Sequence, residues 1–137
     1  MGVARVTVSV APIGSSVRRW KGEFLVGSGA STTMVPAKVL RELGIEPFRK
    51  EPRELADGSV MSFDVGGAMI TVLNETVASE VLFGPDDAEP LLGAITMQSA
   101  NLIWDAQKEE LRLNSRLKPL KRLKRLKSHR VSAMVGV

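Results

Sequence analysis

Glycine and proline cut this chain into short pieces, and that punctuation limits what it can fold into. Twelve glycines and seven prolines are spread through 137 residues. They leave little room for long helices. What remains is a series of brief runs rich in branched residues, each bounded by a turn signal. Val3 to Val10 alternates apolar and polar residues, as a half-buried strand does. Val17 to Val26 reads as a second strand, paired with the first as a hairpin. Arg53 to Ala56 and Ser59 to Val65 flank Asp57-Gly58, a strong hairpin signal. Gly66-Gly67 reads as a further turn or bulge. Ala68 to Val72, Thr76 to Phe83, Leu91-Leu92, Leu102 to Trp104 and Glu110 to Leu113 complete the strand-like pieces. One segment, Pro36 to Leu43, predicts a short helix. Proline suits its first position, and Gly44 suits its stop. Ile95 to Ala100 has room for a helical turn. This pattern predicts an all-β barrel or sandwich with one small helix.

Composition removes several chemistries. There is no cysteine, so disulfides, thiolate catalysis and thiolate metal sites are excluded. The one histidine, His129, argues against a Ser-His-Asp triad or a multi-histidine metal site. Four Phe, two Trp and no Tyr are too few for a base-stacking platform. Asp86, Asp87 and Glu89 lack the ligand spacing of a calcium loop. Gly27-x-Gly29 falls short of a dinucleotide fingerprint, because Thr32 fills the third glycine position. No metal and no cofactor is expected. No apolar run is long enough to span a membrane, and the first residues lack a signal-peptide core. A cytoplasmic location is the expectation that follows.

Charge divides the chain in two. Residues 1–110 hold ten Lys and Arg against all fifteen acids. Residues 111–137 hold the other nine basic residues and no acid. The chain therefore reads as a domain over 1–113 and a basic extension over 114–137, flexible or helical. Cations from Arg112 to Arg130 offer weak, salt-sensitive binding to a polyanion. The plainer reading is a solubilising extension.

The run Phe24-Leu25-Val26-Gly27-Ser28-Gly29-Ala30-Ser31-Thr32 resembles the signature of retropepsin-like aspartic proteases, bacterial-type members included. That signature reads apolar-apolar-Asp-Thr/Ser-Gly-Ala-Ser/Thr, so Gly27 stands at the position of the acid. Three further blocks follow in order: Leu55 to Ser59 as a flap hairpin, Val81 to Gly84 with Pro90 to Gly93, and Leu102 to Asp105 as a closing strand. The resemblance implies a closed retropepsin-like β-barrel working as a homodimer. Gly27, Ser28 and Gly29 would form the catalytic loop. Ala30, Ser31, Ala56, Asp57, Gly58 and Ser59 would bind a peptide or protein substrate in extended conformation.

Such a site works through two carboxylates that share one proton, one from each subunit. Glycine supplies neither. Asp57, Asp64 and Asp105 are the other acids at strand-like positions; the resemblance puts Asp57 on the flap and Asp105 at the far end of the barrel, and neither of these two is expected to reach the loop. Ser28 has no base beside it. The chain is thus expected to be an aspartic endopeptidase relative that is inactive or severely impaired. The alternatives are a non-catalytic peptide-binding or dimerisation module, and a small barrel whose basic tail binds nucleic acid.

Overall fold

A computed structural model describes residues 4–15, 17–27 and 29–114. The extension expected beyond residue 114, and Ser28, lie outside the described residues.

Alternation sets the first hairpin. Strand β1 (Arg5–Ala11) and strand β2 (Trp20–Val26) pair antiparallel from Arg5↔Leu25 to Val10↔Trp20. Val8 and Val10 point inward and are fully buried. The second strand starts at Trp20, later than its sequence predicts. Val17 stays outside the ladder and is 92% exposed, because the pairing with β1 begins only at Val10.

Strand β3 (Thr33–Pro36) runs directly into helix α1 (Ala37–Glu42). Pro36 has no side-chain cap to offer, and Asp86 Oδ1 instead accepts from the Lys38 amide at 2.9 Å. The helix stops where Gly44 takes φ +80°. The Ile45 amide then donates to Leu40 O and the Gly44 amide to Arg41 O, a Schellman ending sealed by the buried pair Ile45 and Leu40.

Strand β4 (Arg49–Glu54) and strand β5 (Val60–Val72) form the Asp57-Gly58 hairpin, in register from Arg49↔Val65 to Glu54↔Val60. Gly66-Gly67 does not turn the chain. It lies within the thirteen-residue β5. A Cβ on Gly66 would sit 3.0 Å from Phe83 and 3.1 Å from Glu46 O, so glycine serves close packing there. The real turn follows at Leu73-Asn74, both at positive φ, and joins β5 to strand β6 (Glu75–Gly84).

Two elements near the C-terminal end also depart from expectation. After the two-residue strand β7 (Leu91–Leu92) comes a second helix, α2 (Ala94–Ser99), so there are two short helices among the described residues. Its first amides are satisfied by loop carbonyls that sequence alone does not reveal. Strands β8 (Leu102–Asp105) and β9 (Glu110–Leu113) pair only with each other among the described residues. They form a separate ribbon.

The main sheet runs β1-β2-β7-β3-β6-β5-β4, and β1 pairs again with β5. The sheet therefore curls back on itself. It is not a regular barrel, because β7 contributes only two residues and meets β3 at one pair, Met34↔Leu91. Its concave side holds Val8, Val10, Phe24, Val35, Ile70, Val72, Val81 and Leu92, closed by Leu40 from α1. Trp20 packs on Phe24 with ring centroids 5.9 Å apart.

Candidate active-site loop

Gly27, Ala30 and Ser31, between β2 and β3, are held from both sides. The Gly27 amide donates to Leu92 O at 2.9 Å, continuing the parallel pairing of β2 with β7. The Ala30 amide donates to Gly27 O at 2.9 Å. The first amides of α2 complete the clamp, Ala94 to Ala30 O at 2.8 Å and Ile95 to Ser31 O at 3.0 Å.

Behind the loop runs a buried hydroxyl chain. The Gly93 amide donates to Thr33 Oγ1 at 2.9 Å. Thr33 Oγ1 lies 2.6 Å from Thr96 Oγ1, and Thr96 lies 2.7 Å from Ser79 Oγ. Gly93 is glycine for a steric reason: a Cβ there would come within 2.5 Å of the Thr32 carbonyl carbon. The missing side chain lets β7 and the start of α2 pack directly against the loop.

Gly27 presents no side chain, and its space is taken. A Cβ built on it would lie 2.8 Å from Leu91 Cγ and 2.9 Å from Cδ2. Gly29 is exposed, with nothing within 4 Å of its Cβ position. Ser31 is exposed as well. The other acids are committed elsewhere. Asp64 pairs with Lys50 at 2.9 Å and with Arg41 at 3.7 Å. Asp105 accepts from the Lys108 and Gln107 amides, which hold its carboxyl below the usual range. Asp57 accepts from the Ser59 hydroxyl at 2.6 Å and from its amide at 2.9 Å, and is lowered by both. A general acid needs the opposite shift.

The expected flap residues Ala56, Asp57, Gly58 and Ser59 form the exposed end of the β4–β5 hairpin, where Gly58 takes φ +88°. The hydrogen bonds of Asp57 and Ser59 close their own turn. It is the stem that reaches the loop. Arg53 donates from Nη2 to Thr32 Oγ1 at 2.8 Å and from Nη1 to Ser31 Oγ at 3.3 Å. The same guanidinium pairs with Glu51, Glu51 with Arg49, and Arg49 with Glu80 at 2.8 Å on β6. Arg53 Nε is buried without a partner. Sequence reasoning missed Arg53. Its signal was the spacing of Arg49, Glu51 and Arg53, which puts all three on one face of a strand.

No helix among the described residues is long and apolar enough to cross a membrane. No protein-family model and no curated protein matches the chain. Among solved structures, the solution structure of the Simian Foamy Virus (mac) protease matches with a TM-score of 0.50 and 23% identity, over 69% of this chain and 92% of that one. At that identity the likeness is one of architecture: the chain is similar in fold to a retropepsin-like protease.

Proposed function

We propose that the chain is a bacterial-type retropepsin-like domain that keeps a peptide cleft and has lost the acid. The observation that carries this reading is the placement of Gly27. It lies at the end of β2, hydrogen-bonded to Leu92 O, in a loop clamped by α2. In the motif it resembles, that residue is the Asp that activates water. Two such carboxylates, close enough to share a proton, act as acid and base together. In a symmetric homodimer both are missing at once.

The open face of the loop supports the dimer. Gly29 and Ser31 are exposed, and Ile95 beside them is a half-exposed apolar side chain. A second subunit laid there would bring two loops together under two hairpins. An extended peptide would lie between them by strand addition. The lowered carboxyls of Asp57 and Asp105 support the absence of a replacement acid.

The test pairs sedimentation with a peptidase assay on the full chain. A dimer at micromolar concentration that leaves unfolded protein substrates uncut, yet binds extended peptides, is expected. A monomer that binds no peptide would overturn the reading.

A further inference from the structure

Arg53 fixes the hydrogen-bonding sense of the two loop residues it touches. A guanidinium donates and cannot accept. Arg53 donates from Nη1 to Ser31 Oγ at 3.3 Å and from Nη2 to Thr32 Oγ1 at 2.8 Å. Both hydroxyls are acceptors in those bonds, so their own protons turn away from Arg53. Neither proton has an acceptor among the described residues. Ser31 is exposed and the Arg53 side chain is 32% exposed, so solvent and ligands reach this corner. Two hydroxyl protons and a guanidinium make it a cluster of donors.

The guanidinium is also short of acceptors. Arg53 Nε is buried without a partner, the one such side-chain atom among the described residues. A buried donor left unpaired is costly. Glu51 does not meet the need. It gives Arg53 one oxygen, 2.5 Å from Nη2, and gives the other to Arg49 at 2.6 Å. Glu54 alternates to the other face of β4, and Asp57 closes its own turn.

We propose that this corner takes the carboxylate of an Asp or Glu side chain in the bound peptide. The inference rests on the peptide-cleft reading above and names the substrate class that such a cleft prefers. The carboxylate oxygens accept from Ser31, Thr32 and the guanidinium, and charge-assisted bonds are stronger than neutral ones. A guanidinium presents Nε and one Nη as a fork, so a carboxylate seated across it gives Nε the partner it lacks. The 3.3 Å contact to Ser31 is long and yields first as the guanidinium turns. A carboxamide accepts through one oxygen only and brings an amino donor against a cluster of donors. Gln and Asn are thus disfavoured where Glu and Asp are held.

The test is an amide-shift titration of the full chain with heptapeptides of Ser and Val, capped at both ends, carrying one Glu or one Gln at each position in turn. At one or more positions the Glu peptide should bind roughly tenfold tighter than its Gln twin. The Arg53 Nε proton signal should shift with the loop amides. Ser31→Ala should narrow the preference and Arg53→Gln should abolish it, with circular dichroism checking that each variant is folded. Ser31 is exposed, so its variant keeps the test intact if Arg53→Gln does not fold. Equal binding of Glu and Gln peptides at every position would overturn the inference and leave the peptide cleft standing. Absence of binding by any peptide would overturn both. A preference that persists in folded Arg53→Gln, or shifts confined to residues 115–137, would place the attraction in the basic extension and overturn the inference as well.

Discussion

Leu91 stands in the space that a side chain on residue 27 would need: its Cγ lies 2.8 Å from the Cβ position of Gly27. Leu91 lies on β7 and Gly27 directly follows β2, which runs parallel to it with Leu25↔Leu91 and Val26↔Leu92 in register. A carboxylate restored at 27 must displace that leucine. Gly27→Asp should therefore cost about 1–3 kcal/mol more beside Leu91 than in the Leu91→Ala background. Urea denaturation of the four chains of this cycle measures the difference. Equal costs in both backgrounds would mean that Leu91 swings aside freely.

Gly93→Ala should be far worse than its one added carbon suggests. The new Cβ would meet backbone, 2.5 Å from the Thr32 carbonyl carbon and 2.6 Å from the Thr33 nitrogen. Backbone cannot rotate away as a side chain can. A loss of about 3 kcal/mol or more is expected in thermal or chemical unfolding. A loss below about 1 kcal/mol would show that the loop is not held against β7 as described.

Arg53 should tie the β4–β5 hairpin to the loop. Arg53→Met removes the donors to Ser31 and Thr32 and leaves Glu51 with Arg49. Hydrogen exchange should quicken across residues 49–64 and 30–33, while the α1 core stays protected. The tie also has a pH signature. Arg49, chiefly, and then Arg53 hold the Glu51 carboxyl below its ordinary value. Its contribution is thus complete above the unfolded-state pKa and fades as pH falls through the lower folded value. Faster hairpin exchange in acid, removed by Glu51→Gln, is the expected result.

Leu73 carries a turn residue's burden without being one. Leu73 and Asn74 take φ of 49° and 67° between β5 and β6. Two-residue hairpins of this kind favour Asn or Gly at both positions. Leu73→Asn should raise stability by about 0.5–1 kcal/mol. A loss of stability would mean that the half-exposed leucine contributes packing that outweighs its strain.

Much of this was readable from residue order, and the gaps have physical causes. Asp57-Gly58 and Gly44 act where local backbone chemistry decides, so the hairpin and the helix stop were legible. Leu91-Leu92 was legible as a strand because two apolar residues are stopped there by a glycine. Gly66-Gly67 misled because glycine serves both turning and crowding. Only the partners Phe83, Glu46 and Ile13 distinguish the two. Helix α2 was seen only as a turn because its N-terminal amides are satisfied by Ala30 and Ser31, over sixty residues away. Arg53 was invisible for the same reason: its partners Ser31 and Thr32 are brought to it by the fold. The separate β8–β9 ribbon depends on pairing choices that strand propensity does not rank.

If Gly27 marks a proteolytic cleft emptied of its acid, restoring the carboxylate should restore the chemistry. The most direct measurement is peptide cleavage by Gly27→Asp/Leu91→Ala beside the parent chain, at about pH 4 to 6 where a carboxylate pair shares its proton. No turnover by the parent and pepstatin-sensitive cleavage by the double variant are expected. A folded, dimeric double variant with no cleavage, or a parent chain that cleaves at the same rate, would contradict the proposed reading.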